Sequence, residues 1–415
     1  MVPKGWKRVP IKDVCESIID CVNKTAPVVD YETPFKMIRT TNVRNGRVNT
    51  EDVRYVTEDT YLQWVRRGKP QVGDIIFTRE APVGEAGVLQ DAEGIFLGQR
   101  TMMYRADTCL SDNYFLFYSL SSPFCQKQIE DFSNGGTVAH MRVPDCGEIL
   151  INLPPFLEQK KIAQILSTWD KAISVTEKLL TNSQQQKKAL MQQLLTGKKR
   201  LLDENGTRFS ETWKLYALSK LFQRVTTKNN GKSNNVVTIS GQHGLIKQED
   251  FFKKTVASDT LDGYFLLKKG QFAYNKSYSN GYPMGAIKRL NRYPEGVVTT
   301  LYICFELTTP KKSCGDYWEH YFESGLLNNS LSQIAHEGGR AHGLLNVKPS
   351  DFFSLKVAVP GFEEQQKIAL VLSAADTEIS TLEKKLACLK DEKKALMQQL
   401  LTGKRRVKVD EAVAV

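Results

Sequence analysis

Two stretches dominate the pattern of apolar and polar positions along the chain. From Phe156 to Thr196, and again from Phe362 to Thr402, no Pro or Gly interrupts the sequence. Apolar residues return there at alternating four- and three-residue steps, the spacing of one face of a helix. In the first stretch the series is Ile162, Leu166, Trp169, Ile173, Thr176, Leu180, Leu190 and Leu194, softened by Ser183 and Lys187. In the second it is Ile368, Leu372, Ala375, Ile379, Leu382, Leu386, Leu389, Leu396 and Leu400, with Lys393 the polar member. Pro154-Pro155 and Pro360-Gly361 precede the starts, while Gly197 and Gly403, followed by basic residues, supply stops that suit the helix dipole. The pattern predicts two helices of about 40 residues, each about 60 Å long at ~1.5 Å per residue, carrying a heptad seam. Matched helices in one chain pack most simply on each other.

The two stretches are copies. Residues 154–200 align with 360–406 at a constant offset of 206, without a gap, and 28 of 47 positions are identical. The remaining segments, 1–155 and 207–361, have a different texture. Short β-branched or aromatic runs such as Asp74-Ile75-Ile76-Phe77 and Val297-Val298-Thr299-Thr300-Leu301-Tyr302-Ile303 are punctuated by Gly, Pro and Asn, which predicts α+β domains of mixed structure. They also correspond weakly: Trp6-Lys7 with Trp213-Lys214, Gly73-Asp74-Ile75 with Gly270-Gln271-Phe272, and Gly135-Gly136 through His140 with Gly338-Gly339 through His342. The layout is therefore domain 1–155, helix 156–206, domain 207–361, helix 362–406 and tail 407–415. Similar spacers with unlike domains suggest one machine carrying two different readers, and the duplication gives it pseudo-two-fold character.

Charge narrows the partner. The 415-residue chain carries a formal net charge of +11, which favours an anionic partner, nucleic acid first. The excess is uneven: segment 1–155 has a net of −2 and segment 207–361 a net of +8. The first domain must therefore depend on local placement of its arginines. The eight cysteines form no C-x-x-C pair and the five histidines no H-E-x-x-H pair, so neither a zinc module nor a metal centre is expected. Reduced thiols and the lack of a long apolar run fit a cytoplasmic protein.

Enzymatic motifs fail one by one. Gly231-Lys232-Ser233 lacks the leading glycine of a phosphate loop, since Thr226 stands in its place. Leu153-Pro154-Pro155-Phe156 resembles an adenine-methylating tetrapeptide, but Leu153 cannot hold the target amino group. Pro144-Asp145 with Glu158 mimics a nuclease signature that the second copy does not keep. No catalysis by this chain is expected. What remains is DNA contact by Arg, Lys, Asn, Gln and hydroxyl side chains in loops. In the first domain the candidates are Arg39, Thr41, Asn42, Arg44, Arg47, Arg79, Gln99, Arg100 and His140. In the second they are Lys228, Asn275, Lys276, Tyr278, Ser279, Asn280, Arg340 and His342.

With these residues in view, the chain resembles the DNA-specificity subunit of type I restriction-modification enzymes. The likeness spans the whole chain. It is most specific at Phe156-x-Glu158-Gln159-x-Lys161-Ile162-Ala163 with its copy, and at the Lys-Ala-Leu-Met-Gln-Gln-Leu-Leu-Thr-Gly-Lys ends at 188–198 and 394–404. Gly263-Tyr264 and Ala273-Tyr274-Asn275-Lys276-Ser277-Tyr278 add to it. The resemblance implies two target-recognition domains, each reading half of a bipartite asymmetric DNA target. It implies that the helices pair as an antiparallel coiled coil, set the half-site spacing and dock two methyltransferase subunits. Those partners would use S-adenosylmethionine for adenine N6 methylation, and motor-nuclease subunits using ATP and Mg would join through them. Inserting whole helical turns before Ala189 should then lengthen the unread gap. Two alternatives stand beside this reading: a coiled-coil DNA-binding regulator without methyltransferase partners, and a fragment of a fused methyltransferase-nuclease.

Overall fold

The computed structural model describes residues 2–133, 139–252, 260–337 and 345–409. The chain divides into two compact units, residues 1–177 with 384–415, and residues 178–383. Both helices predicted from periodicity are present, as Phe156–Leu194 and Phe362–Leu400. Each ends where its glycine stands. Gly197 and Gly403 take φ of +70° and +68°, the left-handed conformation that a residue with a Cβ resists. Beyond them the Lys199 and Arg405 N–H groups reach back to the carbonyls of Gln193 and Gln399, both at 3.1 Å, which satisfies carbonyls left over by the last turn.

The first unit is built on a four-stranded antiparallel sheet in the order Cys15–Asp20, Thr101–Ala106, Ile75–Thr78, Ala86–Val88. The second unit repeats that order with Phe222–Arg224, Ile303–Leu307, Phe272–Asn275 and Ala286–Arg289. In each, a two-stranded ribbon joins the domain's first strand to its last, Lys7–Pro10 with Leu150–Leu153 and Lys214–Ala217 with Lys356–Val359. The additions differ. The first unit has a small sheet containing Lys36–Ile38 paired in parallel with Ile95–Leu97, whereas the second has the hairpin Val237–Ser240 with Gly244–Lys247. The weak anchors in the sequence mark the shared frame, and the gaps between them mark these insertions.

Each unit takes the beginning of one long helix and the end of the other. Ile162, Ala163, Leu166, Leu400 and Leu401 enter the first core beside Trp6, Phe77, Tyr104 and Phe115. Ile368, Ala369, Leu372, Met191, Leu194 and Leu195 enter the second beside Phe222, Phe305, Tyr317 and Trp318. Within each unit the helix-to-helix contacts run in opposite senses. In the first, Asp170 accepts from Lys393 at 2.6 Å and Glu177 pairs with Lys390 at 3.0 Å. In the second, Asp376 pairs with Lys187, and Ser183 donates to Glu378 at 3.0 Å. Numbers rise on one helix as they fall on the other, so the pairing is antiparallel. The polar interruptions of the seam, Lys393, Lys187 and Ser183, all face a partner on the opposite helix. Ile162, Leu166, Ile173, Leu194, Ile368, Leu372 and Leu400 are buried. Trp169, Leu180, Leu190, Ile379, Leu382, Leu386 and Leu396 are half-buried, because away from the domain cores a two-helix seam has no third layer to cover it.

The duplicated residues make duplicated joints. Glu158 is 3% exposed and receives Arg406 through Nε and Nη2, both at 2.7 Å, and the Trp6 indole at 3.1 Å. Glu364 is 2% exposed and receives Arg200 at 2.6 and 2.7 Å and the Trp213 indole at 3.1 Å. The side chains of Gln159 and Gln365 cap the helix starts in the same way, donating to Pro154 and Pro360 and accepting from the N–H groups of Asp112 and Cys314. The nuclease-like role considered for Glu158 is thereby excluded, since its carboxylate is buried and fully engaged.

At one joint the copies differ. Tyr118 donates to Asp170 at 2.6 Å and lies 3.2 Å from the Ser167 hydroxyl, but the second unit places His320 against Ser373 at 3.0 Å and Asp376 at 3.7 Å. Burial, opposed by nearby Asp376 and reinforced by Lys187, lowers the His320 pKa below its usual 6.5, while Asp316 and Glu323 act in the same sense as Asp376. A histidine that protonates less readily when folded loses stability as pH falls, because the unfolded chain takes the proton first. The second unit should therefore weaken as pH falls from 7.5 to 5.5. His320→Gln should flatten that dependence in urea unfolding followed at both pH values; an unchanged slope would refute the assignment.

Candidate nucleic-acid interface

In the first unit the predicted DNA-contact residues separate into two groups. One lies on the hairpin Val43–Arg44 with Arg47–Val48, whose turn is made by Asn45 and Gly46 at φ +53° and +77°, the pair of left-handed residues that tight hairpins prefer. Here most of the candidates serve the loop itself. Asn42 is 3% exposed; its oxygen accepts the Arg39 N–H and its amide donates to the carbonyls of Asn49 and Asp52. Arg44 donates to the carbonyls of Thr40 and Val43 at 2.6 and 2.8 Å. Arg39 is half-buried, and Arg47 pairs with Glu177 on the long helix at 3.1 Å. Thr41 is exposed. Asn42 is thus corrected from a contact residue to a loop-holding one.

The other group gathers at the end of the central strand Ile75–Thr78. Arg79, expected at the surface, is 7% exposed and locked by Asp20 at 3.0 and 3.1 Å and by the Met141 carbonyl at 3.2 Å. It is a second correction, a buried strut. The next residue, Glu80, holds Arg100 through Nε at 2.8 Å and His140 through Nδ1 at 2.6 Å. Arg100 and His140 keep 57% and 43% of their side-chain surface exposed. Gln99 accepts a hydrogen bond from Thr25 at 3.1 Å. The sequence named Arg79, Gln99, Arg100 and His140 but missed Asp20 and Glu80, the two carboxylates that organise them. An acidic residue directly after Arg79 was the available signal.

The second unit presents its candidates at the equivalent strand end. Asn275 closes the strand Phe272–Asn275 and caps the Ser277 N–H at 3.1 Å. Lys276 follows, half-buried, donating to the Val347 carbonyl at 3.4 Å. Burial, then the nearby Arg224 charge, lowers its pKa. Tyr278, 63% exposed, and Ser279 and Asn280 extend outward from there. Lys228 donates to the Gly263 carbonyl at 2.7 Å and lies over the Phe265 ring. Arg340 and His342 lie outside the described residues. In both units a backbone N–H, that of Met141 or Leu345, bonds the carbonyl of the residue after the strand. Two unlike residue sets therefore occupy one topological position. Among the described residues no His, Cys, Asp and Glu cluster could hold a metal ion, and no helix is long and apolar enough to cross a membrane.

The frame is thus repeated with different edge chemistry, and comparisons with known proteins give the class. The family of the type I restriction modification DNA specificity domain matches residues 3–182. The chain is 24% identical over 98% of its length to the type I restriction enzyme MjaVIII specificity subunit of Methanocaldococcus jannaschii, covering 94% of that protein. It is 22% identical over 93% of its length to the EcoKI specificity subunit of Escherichia coli, covering 85% of it. The crystal structure of the type I S subunit from M. genitalium shares the fold, with a TM-score of 0.60 at 15% identity over 96% of each chain. Residues 3–182 thus match the type I restriction modification DNA specificity domain, and nearly the whole chain is similar to specificity subunits of type I restriction enzymes. Nothing in these likenesses supports the regulator read as an alternative from sequence.

Proposed function

We propose that the two units read the two halves of a bipartite, asymmetric DNA target, and that the paired helices set the number of unread base pairs between them. The observation that carries this reading is the repeated four-stranded frame with different side chains at the same strand end: Glu80, Arg100 and His140 in one unit, Asn275, Lys276 and Tyr278 in the other. Phosphate and base contacts both require such donors, and only base contacts distinguish sequences. The duplicated helix surfaces offer two similar docking faces, which fits two copies of one methyltransferase subunit. In this reading the methyltransferases bring S-adenosylmethionine to an adenine in each half-site, motor-nuclease subunits add ATP- and Mg-dependent translocation and cleavage, and the complex works in the cytoplasm.

The test is exchange. Replacing residues 207–359 by the corresponding segment of another specificity subunit should change one half of the methylated sequence and leave the other half intact. Methylome sequencing of a host carrying the chimera with its methyltransferase reads the outcome directly. Alteration of both halves would overturn the modular reading.

A further inference from the structure

The cluster at Glu80 is more specific than a basic patch. Arg100 has φ of +70°, a backbone state that non-glycine residues seldom hold and that is found where a side chain must be aimed. The surroundings maintain it: the Arg100 carbonyl accepts the N–H of Arg79 at 2.8 Å, and Arg79 is itself clamped by Asp20. From this base the Arg100 guanidinium ion-pairs with Glu80, its Nε 2.8 Å from the carboxylate. Its two terminal nitrogens have no protein partner among the described residues and belong to a side chain more than half exposed. Glu80 cannot swing away, because its other oxygen holds His140 at 2.6 Å and its backbone bridges that of His140.

We propose that Arg100 reads a guanine in the half-site contacted by the first unit. The assignment rests on the DNA-reading function given above and deepens it. A guanidinium fixed through Nε presents two parallel N–H donors, which match the O6 and N7 acceptors of guanine in the major groove; adenine offers one acceptor and one donor at that edge and cannot satisfy both. Charge separates base reading from phosphate binding. Glu80 neutralises the guanidinium, which weakens attraction to phosphate but leaves the directional donors intact. Three of the other four candidate arginines of this unit have other employment: Arg44 and Arg79 bond backbone carbonyls, and Arg47 pairs with Glu177; the fourth, Arg39, has its Nε buried without a hydrogen-bond partner.

The experiment uses the full chain expressed with its methyltransferase partner, with methylated sites mapped across a genome. The wild-type half-site assigned to the first unit should contain a G·C pair. Arg100→Ala should relax that position, with discrimination falling roughly tenfold to a hundredfold, the range expected for loss of one bidentate contact. Arg100→Met, which keeps the length of the side chain and loses its donors, should relax it as well. Glu80→Gln should relax the same position to a smaller extent. Unchanged reading of the second half-site in each variant shows that the chain is folded and assembled. Retention of the guanine by Arg100→Met, or a uniform loss of affinity for all sequences, would overturn the assignment while leaving bipartite recognition standing. A wild-type complex that methylates no bipartite target would overturn both.

Discussion

Arg200→Ala is expected to destabilise the second unit by about 3–5 kcal/mol, the usual cost of stranding a buried ion without its partner. Glu364 has 2% of its side-chain surface exposed and accepts two bonds from Arg200 at 2.6 and 2.7 Å. Removing the guanidinium leaves the Trp213 indole, at 3.1 Å, as the remaining side-chain donor to that carboxylate. Arg200 also binds the Glu211 carbonyl at 2.8 Å, so its loss frees the segment that leads into the second domain. Urea unfolding followed by tryptophan fluorescence measures the effect. Pairing the change with Glu364→Gln should recover a large part of the loss, because the charge that needed compensation is gone. A shift below about 1 kcal/mol would class the pair with ordinary surface ion pairs and refute its structural role. Arg406→Ala should act in the same direction at Glu158 but less strongly, since Arg406 is 45% exposed against 19% for Arg200.

The second large effect concerns target geometry. Seven residues inserted between Gln185 and Gln186, matched by seven between Thr377 and Glu378, add two turns at opposed levels of the helices while preserving the heptad phase. The insertion adds about 10 Å of helix, or about three base pairs at ~3.4 Å per step. The unread gap should lengthen by about that number with both half-sites unchanged, which methylome mapping of the variant reports. A methylated sequence with its original gap would show that the helices do not measure the target. Residues 181–186 and 387–392 differ at every position between the two copies, so the first insertion falls where the duplication is not kept.

The long helices were legible because their signals are local: an uninterrupted apolar period, a glycine stop and a repeated end. The duplication was legible because offset alone reveals it. Which core each helix end joins was not, since Glu158 finds Arg406 across 248 positions and Glu364 finds Arg200 across 164, and periodicity carries no information about such pairings. The same limit explains the site. Arg79 and Arg100 look equivalent as sequence, and only the position of Asp20, 59 residues upstream of Arg79, makes one a strut and leaves the other exposed. The hairpin at Asn45-Gly46 is within reach of turn chemistry, since an Asn-Gly pair favours a tight two-residue turn.

The division of the chain has a consequence for synthesis. The second unit is one continuous stretch, residues 178–383, whereas the first needs residues 384–415 in addition to 1–177. The portion made first is therefore the portion finished last. Until Leu400, Leu401 and Arg406 leave the ribosome, Ile162, Leu166 and the Glu158 carboxylate lack the partners that bury them, and at ~5–20 residues per second that interval lasts more than ten seconds. A nascent chain halted before the second helix ends would hold a completed second unit beside an open first one, an order of maturation opposite to the order of translation.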